Sequence, residues 1–322
     1  MKLRKEETEK ITVPAQKFAE ENGLEVIYDP QAEGLALSSL SVNRPGLLLS
    51  GFDSYFASSR VQVLGKSEIT YIKSLEPETR KQRLESLFSK NVPCVIVSRG
   101  QTVPKDIIEA ARKYKTALFG SDKITALLVN DLTDYLIDLF APSVSLHGIM
   151  LDVYGMGVLI TGESGIGKSE TALELVHRGH RLVSDDLVKF KRLRDEIFGE
   201  APAIIKHMME IRGLGIIDVK AMYGAGAVKK RKRLELVIEL SRDIEKEFNR
   251  VGNISLSQPI LGLEIPKYVI PIMPGRNIAI LIEVAVRDFI LKQDGYNTLA
   301  EIEKRMEQGE CVIKSENKNV DN

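Results

Sequence analysis

The first third of the chain combines two hydrophobic periods, one of strand type and one of helix type. Val61–Leu64 and residues 92–97 are apolar runs of strand length, and residues 68–72, rich in β-branched side chains, are also predicted as a strand. Pro77 begins a predicted helix over residues 76–88. This alternation of strands and helices predicts an α/β domain.

Two more helices are predicted before the middle of the chain. One follows Pro104, and residues 116–119 form the next strand. Ser121 can cap the second helix, which carries one apolar stripe. The stripe consists of Ile124, Leu127, Leu128, Leu132, Tyr135, Leu136 and Leu139.

A domain boundary is predicted where this helix ends. Ala141 and Pro142 break the helical pattern, which places the boundary within a few residues of 133–142. We divide the chain into an N-terminal α/β domain, residues 1–134, and a second domain, residues 135–322. A chain of 322 residues has about twice the usual length of one domain, which agrees with this division.

Composition narrows the class of protein. The chain is 43% hydrophobic, enough for real cores, and its 45 Lys and Arg balance 45 Asp and Glu, so it lacks the basic excess of a dedicated nucleic-acid binder. Apolar runs stop far short of the ~20 residues of a membrane helix, and the charged N-terminus does not resemble a signal peptide. Cys94 and Cys311 have no metal-ligand spacing. We expect a reduced, cytoplasmic protein.

The second domain contains a phosphate-binding loop motif. Residues 162–169, Gly-Glu-Ser-Gly-Ile-Gly-Lys-Ser, match G-x-x-x-x-G-K-[ST] between an apolar strand at 158–160 and a helical run ended by Gly179. In such a loop backbone N–H groups hold phosphate oxygens, so Gly162, Glu163, Ser164, Gly165, Ile166, Gly167, Lys168 and Ser169 are the predicted nucleotide-binding residues. Lys168 would reach the β- and γ-phosphates, and the Ser169 hydroxyl would bind Mg²⁺.

Paired carboxylates follow the next predicted strand. Asp185 and Asp186 end the segment 181–186, where successive side chains point to opposite faces and can divide metal binding from proton transfer. An Asx turn without chemistry is the alternative. No Asn-Lys-x-Asp motif for reading guanine is present, which disfavours a GTPase.

Several motifs together resemble the HPr kinase/phosphorylase family. They are His147-Gly148, the extension of the loop through Glu170-Thr171-Ala172-Leu173-Glu174-Leu175, Arg178-Gly179-His180-Arg181-Leu182-Val183, the block from Met209 to Asp218, Arg250-Val251-Gly252, and Pro271-Ile272-Met273-Pro274-Gly275-Arg276-Asn277. The N-terminal half is similar around Asn43-Arg44-Pro45-Gly46 and Arg60-Val61-Gln62-Val63-Leu64-Gly65-Lys66. The resemblance therefore covers nearly the whole chain.

This resemblance implies a bifunctional enzyme of bacterial carbon regulation, acting in carbon catabolite repression. Such an enzyme uses ATP and Mg²⁺ to phosphorylate a serine of the phosphocarrier protein HPr, and removes that phosphate by attack of inorganic phosphate, releasing pyrophosphate. The family's catalytic domain resembles phosphoenolpyruvate carboxykinase, and the enzyme is a homohexamer. The chain lacks the His-Arg-Asp and Asp-Phe-Gly motifs of ordinary protein kinases, which agrees with a catalytic domain of a different type.

The resemblance also assigns roles to individual residues. The catalytic roles correspond to His147, Lys168, Asp186 and Arg250, and the magnesium ligands to Ser169 and Glu210. The block used in both reactions is Met209, Glu210, Ile211, Arg212, Gly213, Leu214, Gly215, Ile216, Ile217 and Asp218. The loop for the phosphorylase direction is Pro271, Ile272, Met273, Pro274, Gly275 and Arg276, in which Met273 replaces an Arg or Lys of many family members. Residue spacing alone does not separate Asp185 from Asp186.

Two other functions remain open from the residues. A small-molecule kinase would use Lys168 and Asp186 but leaves the N-terminal domain unexplained. A nucleotide-sensing DNA-binding regulator is supported only by the basic run 229–233, which is predicted as a solvated loop. His177, His180 and His207 have no mutual ligand spacing and are predicted to be structural.

Overall fold

The computed structural model describes residues 7–30, 34–242, 256–273, 275–296 and 298–307. It divides into two compact units, the first ending at Ala141 and the second beginning at Pro142. Both mix helices and strands, as the sequence predicted.

The first unit holds seven strands and six helices within the described residues. In chain order they are β1 (Glu7–Val13), α1 (Ala15–Asn22), β2 (Glu25–Tyr28), β3 (Leu35–Ser39), β4 (Val42–Asn43), α2 (Gly46–Ser50), β5 (Val61–Leu64), α3 (Lys66–Ser74), α4 (Pro77–Phe88), β6 (Cys94–Val97), α5 (Lys105–Lys113), β7 (Ala117–Gly120) and α6 (Thr125–Leu139). A five-stranded sheet has the order β2-β7-β6-β5-β4, in which β4, β5, β6 and β7 are parallel. Helices cover both faces, α1 and α6 on one and α2 to α5 on the other.

The segment 68–72, predicted as a strand, is helical and belongs to α3. Its β-branched residues favoured a strand, but the Glu68 carboxylate accepts a hydrogen bond from the Gly65 N–H at 2.9 Å and closes the first turn of the helix. Ile69 and Ile72, one helical turn apart, are both buried in the core. A local start signal and helical burial outweigh intrinsic strand propensity here.

Helix α6 also differs in detail from its prediction. Ser121 does not cap it; its hydroxyl accepts a hydrogen bond from the Lys123 N–H, and Ile124 precedes the first helical residue. The buried stripe is Leu128, Leu132 and Leu136. Because these side chains pack in the core of the first unit, the whole helix belongs to that unit. The boundary predicted between 134 and 135 falls inside the helix, seven residues before the observed division.

The second unit contains the remaining elements. In chain order they are β8 (Ser143–His147), β9 (Ile149–Val153), β10 (Met156–Gly162), α7 (Lys168–His177), β11 (Arg181–Ser184), β12 (Leu187–Leu193), β13 (Glu196–Glu200), β14 (Met208–Ile211), β15 (Gly215–Asp218), α8 (Val219–Tyr223), β16 (Arg231–Arg233), β17 (Leu236–Ser241), β18 (Ser257–Ile260), β19 (Leu263–Pro271), α9 (Ile278–Gln293) and α10 (Thr298–Glu307). No helix in the described residues is long and apolar enough to cross a membrane.

Two sheets and a hairpin organise this unit. The larger sheet has the order β11-β9-β10-β17-β19-β18, with β10, β17 and β19 parallel. Helices α7 and α9 pack on one of its faces, and the antiparallel sheet β16-β13-β12-β8 packs on the other. Strands β14 and β15 form a separate hairpin. Since parallel strands end at the same sheet edge, the segments that follow β10, β17 and β19 are brought together.

The basic run 229–233 is not the solvated loop that the sequence predicted. Lys229 pairs with the buried Asp152 at 2.7 Å. Arg233 pairs with Glu196 at 2.7 Å and also with Glu235. Residues 231–233 form the edge strand β16, so carboxylates of neighbouring strands neutralise much of this charge. The sequence could not show Asp152 and Glu196 as partners because both are far away along the chain.

Candidate active site

Residues 162–169 connect strand β10 to helix α7, the context that the motif requires. Gly162 has φ of +140°, and a Cβ at this position would lie 2.6 Å from the backbone oxygen of Leu240 in β17. Gly167, at φ of +96°, immediately precedes α7. Both positions therefore require glycine, since an L side chain would clash at the first and strain the second. The N-terminal N–H groups of α7 are left facing the loop.

Cationic side chains gather around this loop. The Lys168 ammonium donates hydrogen bonds to the carbonyl oxygens of Gly162 at 2.8 Å and Glu163 at 2.9 Å. The guanidinium of Arg242 donates to the carbonyl oxygen of Gly165 at 3.1 Å. Arg212 approaches the same glycine from the β14–β15 hairpin. Three positive charges and a helix N-terminus together favour an anion.

The loop forms one wall of a cavity of about 270 Å³. Its lining residues are Ile149, Ser164, Gly165, Gly167, Lys168, Ser169, Glu170, Asp185, Asp186, Glu210 and Arg212. The structure thus brings together eight of the predicted residues: Ser164, Gly165, Gly167, Lys168, Ser169, Asp186, Glu210 and Arg212.

A tight turn between β11 and β12 separates the two aspartates. The Ser184 hydroxyl donates a hydrogen bond to the Leu187 carbonyl oxygen at 2.6 Å. The Leu187 N–H donates to the backbone carbonyl oxygen of Asp185 at 2.8 Å. Asp186 has φ of +63°, a left-handed conformation that Asp adopts more readily than most residues. As a result Asp185 is only 5% exposed, whereas the side chain of Asp186 is 78% exposed.

Asp185 is a buried carboxylate whose negative charge is only partly compensated by hydrogen bonds. Its Oδ2 accepts a hydrogen bond from the Glu210 N–H at 3.0 Å, while Oδ1 is buried without a hydrogen-bond partner. Burial raises the pKa of this carboxyl group, more than the hydrogen bonds from the Glu210 and Asp186 backbone and the Ser169 hydroxyl lower it. The charged form is therefore under-compensated by the protein alone.

We expect Asp185→Asn to stabilise the protein in Mg²⁺-free buffer at pH 8. An under-compensated buried polar group costs ~1–3 kcal/mol, so Tm should rise by about 2–4 °C for each ~1 kcal/mol gained. Because the pKa of Asp185 is raised in the folded state, its contribution to stability is fully present below pH 3.8, the ordinary pKa of the group. That contribution is lost as the pH rises through the raised pKa. Thermal denaturation from pH 4 to 8 should show the gain shrink at low pH; a lower Tm at pH 8 would contradict this account.

Asp186 lies beside His147 on the solvent side of the turn. Strands β8 and β12 pair Leu187 with His147, and the Gly148 N–H donates to the Asp186 carbonyl oxygen at 2.9 Å. His147 Nδ1 lies 3.6 Å from Asp186 Oδ1, and both side chains are exposed. The geometry provides an accessible carboxylate with an imidazole next to it, a pair suited to moving a proton.

The block 209–218 forms the β14–β15 hairpin and its turn. Met209 is buried in the core, so the alternation of the strand directs its neighbour Glu210 to the cavity. Asp218 ends the hairpin, and its carboxylate caps α8 by accepting the Ala221 N–H at 2.9 Å. Leu214 and Ile216 are exposed. The block therefore contributes a carboxylate and an arginine to the cavity and an apolar surface outside it.

Pro271 ends β19 at the sheet edge that holds the phosphate loop, and residues 272–273 and 275–276 follow it. The Ile272 N–H donates to the carbonyl oxygen of Ser241, the last residue of β17, at 2.8 Å. Asn277 accepts the Ile280 N–H at 3.0 Å as cap of α9, and its amide donates to Glu174 of α7 at 2.6 Å. The segment is thus anchored to the helix that begins at Lys168. Pro274 lies outside the described residues.

The donors around the cavity fit a magnesium ion. Among the described residues no cluster of three or more His, Cys, Asp or Glu side chains is arranged to hold a metal. Mg²⁺ does not need one, because it is usually bound through one or two carboxylates, with water and substrate phosphate completing its shell. The unpartnered oxygen of Asp185, with Ser169 and Glu210 on the same cavity, provides oxygen donors of that kind.

Arg250, His180 and Arg242 complete the comparison between the sequence prediction and the structure. Arg250, predicted as catalytic, lies outside the described residues. His180 is buried and its Nε2 lies 3.0 Å from Glu283, as a structural residue would. Sequence reasoning missed Arg242, whose signal was a cation directly after the apolar run of β17; parallel pairing of β17 with β10 is what places it at the loop.

Comparison with known proteins covers both units. The family described as HPr Serine kinase N terminus matches residues 13–136, and the HPr Serine kinase C-terminal domain matches residues 138–306. The HPr kinase/phosphorylase of Alkaliphilus metalliredigens is 44% identical over 297 residues, 92% of this chain and 96% of that protein. That of Caldanaerobacter subterraneus subsp. tengcongensis is 43% identical over 300 residues, 92% of this chain and 98% of that protein.

A solved structure of the HPr(Ser) kinase/phosphatase from Coxiella burnetii is 37% identical; the match covers 49% of this chain and 98% of that chain, with a TM-score of 0.46. The two family matches together span most of the sequence, and the curated relatives are similar over nearly their full length. The chain is an enzyme of the HPr kinase/phosphorylase family.

Proposed function

We propose that this protein uses ATP and Mg²⁺ to phosphorylate a serine of HPr and removes that phosphate by phosphorolysis, releasing pyrophosphate. The observation that carries the proposal is the convergence of the 162–169 loop, the Asp185–Asp186 turn and the β14–β15 hairpin on one cavity. The similar HPr kinase/phosphorylases support HPr as the protein substrate. Carbon catabolite repression, a homohexameric assembly, a cytoplasmic location and a likeness to phosphoenolpyruvate carboxykinase stay predictions from the resemblance.

Nucleotide phosphates would lie on the loop. Backbone N–H groups at the start of α7 and the Lys168 ammonium would hold their oxygens, the lysine exchanging its two carbonyl partners for phosphate. Arg212 and Arg242 would add charge on the flanks. Ser169, Asp185 and Glu210 would hold Mg²⁺, which neutralises the charge that develops on the transferred phosphoryl group.

Proton transfer would fall to Asp186. In the forward direction the serine oxygen of HPr attacks the γ-phosphorus, the bond to the β-phosphate breaks, and Asp186 accepts the hydroxyl proton. In the reverse direction an oxygen of inorganic phosphate attacks phosphoserine, the serine O–P bond breaks, and the serine oxygen takes the proton back. His147 beside Asp186 would orient the carboxylate.

The test is incubation with ATP, Mg²⁺ and purified HPr, followed by mass measurement of HPr. We expect a gain of one phosphoryl group, absent when the acceptor serine is replaced by alanine. Phosphoserine-HPr incubated with inorganic phosphate should lose that mass and give pyrophosphate. Absence of any gain on HPr would favour a small-molecule kinase, which needs the same loop. The ion pairs of the 229–233 run count against a DNA-binding regulator.

We predict that Arg276→Ala lowers phosphorylase activity more than kinase activity. Pro271 and Ile272 lie beside Ser241 at the edge shared with the phosphate loop, and the guanidinium of Arg276 suits bidentate contact with the attacking phosphate. One charged hydrogen bond of ~1.5–3 kcal/mol corresponds to roughly a 10- to 150-fold loss in phosphorolysis. Parallel assays of both directions measure the effect.

Arg276→Lys is the matched control, because it keeps the charge and should recover part of the loss. Met273→Arg should raise phosphorylase activity alone. Equal losses in both directions for Arg276→Ala would refute the directional role while leaving the family membership untouched.

A further inference from the structure

A second cavity, of about 730 Å³, lies in the first unit and is lined only by residues of that unit. Its volume falls within the range of small-molecule sites. Its lining includes three cations, Arg44, Lys66 and Arg99, and hydroxyl groups of Ser67, Thr70 and Thr125. Neither the phosphate loop nor the paired aspartates contribute to it, so the proposed catalytic function does not account for it.

The topology of the first unit places this cavity at the edge where all four parallel strands end. Arg44 directly follows β4, Lys66 comes two residues after β5, Arg99 comes two residues after β6, and Thr125 comes five residues after β7. Open α/β sheets bind ligands in the crevice outside the carboxyl ends of their strands. Each of the four parallel strands is followed by one of these lining residues, so the cavity lies at the edge where ligands of such sheets bind.

The cavity wall has an excess of positive charge, which favours an anionic ligand. Arg44 pairs with the buried Glu68 at 2.9 Å, and the same carboxylate accepts the Gly65 N–H, so both charges of this pair are satisfied internally. Of the three cations that line the cavity, Arg44 is the one with an ion pair among the described residues; Lys66 and Arg99 have none there. Two free cations therefore remain on the wall.

Backbone hydrogen bonds fix the main chain at Arg99. Arg99 has φ of +67°, fixed by its N–H bond to the Lys123 carbonyl oxygen at 2.9 Å and by the next N–H, of Gly100, bonding to Ser121 at 2.9 Å. A Cβ on Gly65 would lie 2.9 Å from the Thr125 hydroxyl, so the glycine permits α3 and α6 to begin side by side. A strained residue held by its surroundings at a sheet edge is characteristic of binding sites.

We propose that this cavity binds a small phosphorylated metabolite. Lys66 and Arg99 bind its phosphate group, and the hydroxyls of Ser67, Thr70 and Thr125 face its hydroxyl-bearing part. A hydroxylated phosphate ester matches both the cations and the polar, hydroxyl-rich remainder of the wall. The volume exceeds what inorganic phosphate alone would fill.

The experiment is calorimetric titration of the full chain with glycerol 3-phosphate and, separately, with inorganic phosphate. Binding at the phosphate loop contributes to every variant alike, so the site is identified by comparison. Lys66→Gln and Arg99→Gln should each weaken one binding component of glycerol 3-phosphate at least about tenfold. Lys73→Gln, an exposed cation on α3 outside the cavity, is the matched control and should leave that component unchanged.

Thermal denaturation of each variant, expected to match wild type because both side chains are exposed, separates lost binding from lost folding. HPr phosphorylation without added ester should keep its rate in Arg99→Gln, which distinguishes failure of this site from failure of the catalytic one. A binding isotherm that neither Lys66→Gln nor Arg99→Gln alters would overturn the proposal. Equal affinity for inorganic phosphate and glycerol 3-phosphate would overturn the assignment to an organic phosphate.

Discussion

Replacing Lys168 by alanine is expected to remove nearly all HPr phosphorylation. Phosphoryl transfer depends mainly on positioning and on stabilising charge, and the ammonium group is the side-chain cation held within the loop itself. Loss of one preorganised donor of this kind typically costs ~100- to 1,000-fold in rate. Initial rates with saturating ATP, Mg²⁺ and HPr, measured by mass, give the result.

Two measurements make this loss interpretable. Lys189→Ala, which removes an exposed lysine from β12 of the same unit, should keep the wild-type rate. Because Lys168 also bonds to the carbonyl oxygens of Gly162 and Glu163, thermal denaturation must show that Lys168→Ala stays folded. Near-normal turnover in a folded Lys168→Ala protein would mean that the loop does not hold the transferred phosphate.

The phosphate loop was predictable because everything it needs is contiguous. Strand β10, the glycines and helix α7 lie within one stretch of the chain, and each feature has a local cause. The glycines at 162 and 167 have the positive φ values that such a loop demands. Local chemistry therefore fixed both the fold of this segment and its place in the site.

The difference between Asp185 and Asp186 could not be read from the sequence. It arises from the left-handed backbone of Asp186 and from the Glu210 N–H, which comes from a hairpin 25 residues further along the chain. The contribution of Arg242 likewise depends on parallel pairing of β17 with β10. Tertiary packing decides such features, and a single sequence contains no local signal for them.

Two wrong predictions have different physical causes. The β-branched run 68–72 has strand propensity, yet the capping hydrogen bond from Gly65 to Glu68 and burial of Ile69 and Ile72 make it helical. The charges of 229–233 are neutralised by acidic residues on other strands. For 68–72 a start signal just before the segment and burial in the core outweigh strand propensity, whereas Asp152 and Glu196 meet the run 229–233 only after folding.

The structure gives a physical reason to assign proton transfer to Asp186 and metal binding to Asp185. A base must reach the hydroxyl of a docked protein, and Asp186 is exposed beside His147, 3.6 Å away. Asp185 is buried, bonded to the Glu210 N–H, and has one oxygen without a partner. An incoming serine could contact the first carboxylate, while a cation in the cavity would satisfy the second.

We therefore expect Asp186→Asn to reduce kinase and phosphorylase activities together while ATP binding survives. The amide is nearly isosteric but cannot accept the serine proton in one direction or return it in the other, and general acid–base help is typically worth ~100- to 10,000-fold. Parallel assays with HPr and with phosphoserine-HPr measure both rates, and calorimetry measures the ATP affinity. Asp185→Asn is the matched variant: it should weaken the Mg²⁺ dependence of ATP binding, which Asp186→Asn leaves intact. If Asp186→Asn kept either activity while Asp185→Asn lost both without any change in Mg²⁺ dependence, the two roles would have to be exchanged.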